Sequence, residues 1–216
     1  VHQNFYFLRQ LAPALKKEVD GKVFAEAFSQ DKDELILVFR SPEEETDAFF
    51  VKASLRSDFA SLSFPSRFDR ARRNSVNLFT ELYGKRVKEV RVFENERAIK
   101  FGLEGGEALV FKLFGNRSNI IHFNEDGSAQ SLFANRLAID KGIRLSELDR
   151  FLDQSFSAFE AAEGNFKKLF PTFGKLVNTY LEERLAGAVE LTERWAIVQS
   201  VLQQLEHPTF YLTNMD

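Results

Sequence analysis

The stretch that decides the fold is residues 86–133, RVKEVRVFENERAIKFGLEGGEALVFKLFGNRSNIIHFNEDGSAQSLF. Short apolar runs, "RVKEVRVF", "RAIKFGLE", "EALVFKLF", "NIIHFN" and "AQSLF", are joined by the polar segments "ENE", "GG", "GNRS" and "EDG". Runs of that length, punctuated by Gly, Asn and Asp, read as antiparallel strands linked by hairpins. The spacing predicts a five-stranded meander.

Working outward, "KVFAEAFSQ", "ELILVFR" and "AFFVKASL" between Lys22 and Leu55 predict three further antiparallel strands, separated by "DKD" and "SPEEETD". Before them, Phe5, Leu8, Leu11, Ala12, Leu15 and Val19 fall at helical spacing and Gly21 follows as a stop signal. Between the two strand groups, "RFDRARRNSVNLFTELYG" (67–84) places Ala71, Val76, Phe79 and Leu82 at helical spacing before Gly84, so an inserted helix is expected. From Ser146 onward the strand signals give way to helical candidates near 146–159, 163–170, 174–186 and 192–206, with a strand expected at 208–213. The expected organisation is therefore α+β, with a β-rich domain over 1–145 and a helical domain over 146–216. The closing strand has no partner after it, so the chain is expected to be part of a longer protein.

Composition narrows the function classes. With 216 residues, 44% of them hydrophobic, the chain can bury a substantial core. Its 24 phenylalanines, against one tryptophan, make Phe the main core filler, and scattered Phe reads as packing before ligand chemistry. The absence of cysteine excludes disulfides and thiolate zinc sites, and His2, His122 and His207 have no metal-ligand spacing. No cofactor or metal is expected. The opening residues lack a basic run followed by a purely apolar stretch, and no window approaches about 18 apolar residues. A cytoplasmic chain without membrane association is the expectation. A net charge of −3 argues against a strongly basic nucleic-acid binder but leaves room for a local positive patch.

Four segments carry candidate chemistry. In "ENER", Glu96 and Arg97 read as a hairpin ion pair, or as an Arg fork for a phosphate with Glu96 orienting it, while Asn95 suits a positive φ. In "GNRSN", Gly115 and Asn116 suit a tight turn, Arg117 and Ser118 stand beside turn amides able to cradle an anion, and Asn119 either joins them or braces the neighbouring loop. "RFDRARRN" holds Arg67, Arg70, Arg72 and Arg73 against Asp69, either a solvated helix start or an RNA-backbone contact, and Lys85, Arg86, Lys88 and Arg91 could extend its field. "LFPTFGKLVNTYL" (169–181) reads as an ordinary αα-corner, or as a helix-hairpin-helix in which Pro171 and Gly174 shape the turn and Lys175 opens the second helix toward a phosphate. Trp195 reads as core of the last helix.

Taken together, "NFYFLRQLAPAL", "FSQDKDELILVF", "FENERAIKF" and above all "LFGNRSNIIHFNEDG" resemble the N-terminal domain of the NFACT family, the fibronectin-binding protein A-like ribosome quality-control factors. Gly115, Ser118, Asn119, Ile120 and Ile121 match the family's Gly-x-x-Ser-Asn-Ile-Ile motif, and Gln30 stands at the family's Gln. Glu96-Arg97 occupies the place of an Asp-Arg pair, and Phe79-Thr80 the place where many members carry Arg-Lys. The resemblance implies a glycosylase N-domain-like antiparallel β-sandwich followed by a helix-hairpin-helix unit, then a coiled coil and a further domain beyond residue 216. It also implies a module that binds tRNA and obstructed large ribosomal subunits. RNA contacts would then fall to Glu96, Arg97, Arg67, Arg70, Arg72, Arg73, Arg117, Ser118, Asn119 and Lys175.

Two rival readings stand beside it. The family's older name suggests a surface adhesin with fibronectin as partner. A DNA-glycosylase-like nucleic-acid enzyme is the weaker rival, since residues 1–3 read Val-His-Gln where such enzymes carry a catalytic proline followed by glutamate. No nucleophile, base and orienting group can be assembled from the sequence around its isolated histidines, so no enzyme is expected.

Overall fold

The computed structural model describes residues 4–44 and 46–210, and the chain divides into two compact units, Val1–Arg150 and Phe151–Asp216. The first unit opens with helix α1 (Phe5–Val19), capped by Asn4, whose Oδ1 accepts a hydrogen bond from the Phe7 N–H at 3.1 Å. Phe5, Leu8, Ala12, Leu15 and Val19 are buried, because their spacing keeps one stripe of the helix turned to the core. Gly21, at φ +72°, turns the chain into the first sheet.

That sheet contains the three expected strands, β1 (Val23–Asp31), β2 (Glu34–Arg40) and β3 (Ala48–Leu55). It also contains two that the spacing does not announce, β4 (Ala60–Ser63) and the two-residue β5 (Val76–Asn77). Their order is β4-β3-β2-β1-β5. Residues 86–133 form the second sheet as expected: β6 (Val87–Val92), β7 (Ala98–Leu103), β8 (Ala108–Lys112), β9 (Asn119–Phe123) and β10 (Ala129–Leu132), each antiparallel to the next.

The sheets face each other across one core as an antiparallel sandwich. Phe39 of β2 stacks on Phe101 of β7 with ring centroids 5.5 Å apart, and Phe101 meets Phe111 of β8 at 5.2 Å. Helix α1 packs along β6 and β7. The apolar runs of β8 and β9 are nearly continuous because both faces are covered. Leu109, Phe111 and Ile120 enter the main core, whereas Val110, Ile121 and Phe123 enter a smaller one beneath Ile143, Leu145 and Leu148.

The inserted helix expected over 67–84 does not form. Residues 64–75 run as a loop, followed by β5 and a 3-10 turn at Thr80–Leu82. The physical reason lies in competing partners. Asn74 (φ +58°) and Phe79 (φ +52°) adopt left-handed backbone that no continuous helix accommodates. The Ala71 N–H donates to Gln30 Oε1 at 3.0 Å. Arg70 lies 4.4 Å over the Phe28 ring and donates to Ser75 Oγ at 2.8 Å and Asn77 Oδ1 at 2.6 Å. The loop thereby covers the apolar outer face of the first sheet, where Phe68 packs with Phe28, Ile36 and Val38.

The second unit holds α2 (Phe156–Ala161), α3 (Phe166–Leu169), α4 (Gly174–Leu185) and α5 (Leu191–Glu206). The helix expected near 146–159 is shorter, because 145–147 forms a 3-10 turn and 149–154 has no regular structure. Aromatic rings make its core: Phe170 stacks on Phe173 at 4.8 Å, and Trp195, half-buried, lies 5.1 Å from Phe159. Residues 208–210 are not in a strand, and the remainder of the strand expected at 208–213 lies outside the described residues.

Candidate functional site

An antiparallel meander places alternate turns at opposite ends of the sheet. The turns at 93–97 and 113–118, and the segment after β10 at 133–142, therefore share one end, while the turns at 104–107 and 124–128 share the other. The two ends differ in charge. At the far end Lys85, Lys88 and Arg144 are salt-bridged to Glu107, Glu104 and Asp126, while exposed Arg86 donates to the Gly21 carbonyl at 3.0 Å. At the near end Arg97, Arg117, Arg136 and Lys141 have no carboxylate partner among the described residues. Its acids are mostly consumed internally: Glu96 by Arg150, Asp140 by Lys112 and Asp149 by Arg91, which leaves Glu94 exposed.

The "ENER" turn does not hold the ion pair that its sequence suggests. Glu96 is buried, and its Oε2 lies 2.9 Å from Arg150 Nε while its Oε1 accepts from the Arg97 N–H at 3.0 Å. The carboxylate thus anchors the end of the first unit instead of orienting Arg97. Neighbouring bonds join the same clasp. Arg150 N–H donates to Glu94 O at 2.9 Å, and Asn95 Nδ2, on a residue at φ +51°, donates to Arg150 O at 2.9 Å. Arg91 grips Asp149 through two 2.9 Å bonds, and the Glu94 N–H donates to Asp149 at 2.8 Å. Burial works against the Asp149 carboxylate, but these donors outweigh it and hold its pKa below the ordinary value.

Freed from Glu96, Arg97 lies over Phe114, its Cζ 5.3 Å from the ring centroid, and Lys112 Nζ lies 5.4 Å from the same centroid. Gly115–Arg117 form a 3-10 turn with Gly115 at φ +63°, so Asn116 and Arg117 project into solvent. Arg136 Nη1 reaches Asn116 O at 3.5 Å, which ties the segment after β10 to this turn. Asn119 takes the bracing role, not an anion-binding one. It is fully buried, donates to Asp140 Oδ2 at 2.8 Å, and accepts from the Ala134 and Ile120 N–H groups at 2.8 and 2.9 Å. Lys112 is paired with the other oxygen of Asp140. Ser118 is buried, and its Oγ has no hydrogen-bond partner among the described residues.

The other expected contacts are elsewhere. Arg67 lies 3.2 Å from Asp69 with both side chains largely exposed, and Arg70 is latched to the first sheet. Arg72 and Arg73 are exposed. In the second unit, Pro171 and exposed Lys175 flank the corner, and Gly174 begins α4 at φ +74°. Lys112, Phe114, Arg136, Asp140 and Lys141 escape a reading of local motifs. The signal that could have found them is the meander itself, which forces 97, 113–118 and 133–142 to one end.

A second polar cluster lies on β9. His122 is buried, with Nδ1 3.0 Å from Glu81 Oε1 and Nε2 3.3 Å from Glu107 Oε1, and Ser131 Oγ lies 3.5 Å from Nδ1. Burial pushes its pKa down, the Glu81 carboxylate pushes it back up, and nearby Lys85 lowers it again, leaving it below the ordinary histidine value. The cluster fastens the 3-10 turn that crosses between the sheets.

No protein-family model and no curated protein sequence matches the chain. Solved structures do. The chain is similar to the fibrinogen binding protein from Staphylococcus aureus, at a TM-score of 0.65 and 12% identity over 95% of this chain and 83% of that one. It is similar to the N-terminal part of the fibronectin/fibrinogen-binding protein from Streptococcus suis, at 0.63 and 15% identity over 91% and 84%. It is also similar to the N-terminal domain of the fibronectin-binding protein PavA from Streptococcus pneumoniae, at 0.57 and 17% identity over 85% and 81%. These likenesses establish the α+β fold, two antiparallel sheets with helices, as that of fibronectin- and fibrinogen-binding protein N-terminal domains.

Proposed function

We propose that the chain is a binding module without chemistry of its own, and that the near end of the second sheet takes the backbone of an RNA. The observation that carries this reading is a cluster of positive charge. Arg97, Arg117, Arg136 and Lys141 converge on one end without carboxylate partners among the described residues, on a chain whose net charge is −3. Cations left unneutralised on an acidic protein suit a polyanion. The NFACT resemblance of the "GNRSNII" segment makes tRNA and obstructed large ribosomal subunits the specific partners, and the cytoplasm the compartment. Glu96 in place of Asp fits the same reading, since its longer arm reaches Arg150 and leaves Arg97 outward.

The test is fluorescence anisotropy of labelled tRNA against the purified chain at low and physiological salt, with co-sedimentation on large ribosomal subunits as a second readout. Tight, salt-sensitive binding that Arg97→Ala with Arg117→Ala weakens is expected. Binding that ignores both the substitutions and the salt would remove the reading.

A second reading, recognition of fibronectin or fibrinogen, is favoured by the names of the similar structures. Surface plasmon resonance on immobilised fibronectin and fibrinogen separates the two. Saturable binding there, with none to tRNA, would reverse their order.

A further inference from the structure

We infer that Ile139 is a wedge that packs against an unpaired base of the RNA whose backbone the near end holds; this rests on the RNA reading above. Ile139 belongs to a 3-10 turn, Ala138–Gly142, and is 85% exposed, whereas the next residue, Asp140, is 1% exposed. The turn is pinned from below. Asp140 pairs with Lys112 and accepts from Asn119 at 2.8 Å, its N–H donates to Leu137 O at 2.9 Å, and its carbonyl accepts from the Ile143 N–H at 3.2 Å. Ile139 is thus held outward by a neighbour that is held inward.

A lone exposed apolar side chain is ordinary on a protein surface. This one stands on a fixed turn among unneutralised cations. Lys141 is two residues away, Arg136 three residues away reaches Asn116 O, and Arg97 shares the Phe114 ring with the lysine that Asp140 holds. The partner must therefore offer negative charge and an apolar face together. A protein partner would bury a core of several residues inside a polar rim. Among the described residues of the turns at this end, Ile139 is the only large hydrophobic exposed. An unpaired nucleotide matches a contact of one side chain, because its phosphates meet the cations while its splayed base offers a flat apolar face. The isoleucine side chain has no donor or acceptor for a base edge, so its contact selects unpaired over paired RNA without selecting a sequence.

The experiment compares two fluorescein-labelled RNAs with the same stem, one closed by an unpaired loop and one a blunt duplex, against the full chain, Ile139→Ser, Ile139→Phe and Arg117→Ala with Arg136→Ala. The wild-type chain should prefer the looped RNA by about fivefold, the low end of what a base stacked on an aromatic side chain contributes. Ile139→Ser should abolish the preference while leaving duplex binding unchanged, Ile139→Phe should keep it, and the double arginine variant should weaken both RNAs alike. Equal binding of both RNAs by the wild type, or a preference that survives Ile139→Ser, overturns the wedge while the charge reading stands. Failure of the wild type to bind either RNA overturns the reading on which the wedge depends. Displacement of RNA by poly-glutamate with the same dependence on Ile139 would assign the side chain to an acidic peptide instead.

Discussion

Glu96 and Arg97 are adjacent in sequence yet face opposite ways, one inward to Arg150 and the other outward over Phe114. Glu96→Gln should lower stability by about 1–2 kcal/mol, because a buried charge-assisted contact is weakened, and should leave RNA affinity unchanged. Arg97→Ala should do the reverse. Urea unfolding should move little, and the slope of log affinity against log salt should fall by roughly 0.7–0.9 if one phosphate contact is lost. His122 gives a pH prediction whose sign follows from its lowered pKa. Above about pH 6.5 the residue is neutral in both folded and unfolded chains. As the pH falls through that value the unfolded chain takes up the proton first, so stability drops. Denaturation series at pH 8 and pH 5.5 should therefore show a smaller difference in His122→Gln than in the wild type, and an equal difference would discharge His122 of the effect.

At the scale of elements, the segment between the sheets shows how local signals are overruled. The apolar residues at Ala71, Val76, Phe79 and Leu82 fit a helix, but left-handed Asn74 and Phe79 and the bond from Ala71 to Gln30 tie the chain to the first sheet. Arg70 is the principal fastening, through Phe28, Ser75 and Asn77. Arg70→Ala should cost about 1–2 kcal/mol of stability without altering RNA affinity, whereas Arg72→Ala with Arg73→Ala should change stability by less than about 0.5 kcal/mol. Equal effects of the two variants, measured by thermal or urea unfolding, would show that Arg70 is no latch. By contrast, the strands of 86–133 were legible because strict short runs between turn residues admit few alternatives. The turn chemistry at Asn95 and Gly115 was legible for the same reason, and both residues carry the positive φ that their types suggest.

Over the whole molecule, packing of the sandwich rests on phenylalanines that meet across the sheets. Phe101 contacts both Phe39 and Phe111, so Phe101→Ala should cost about 3–5 kcal/mol and shift the urea midpoint of the first unit accordingly. Such a loss with retained RNA binding in the folded fraction would separate the core from the site. The sequence by itself determined the class of the fold, the meander and its turns, because hydrophobic period and turn residues act over a few neighbours. It also pointed to Arg97 and Arg117, since both lie in turns that break apolar runs. The tertiary structure alone decided their partners. Lys112 and Asp140 are 28 residues apart, and Arg150 reaches Glu96 only after the chain has crossed the second sheet and returned. Whether a charge is spent internally or left for a ligand depends on which distant side chain arrives beside it, and no local spacing records that.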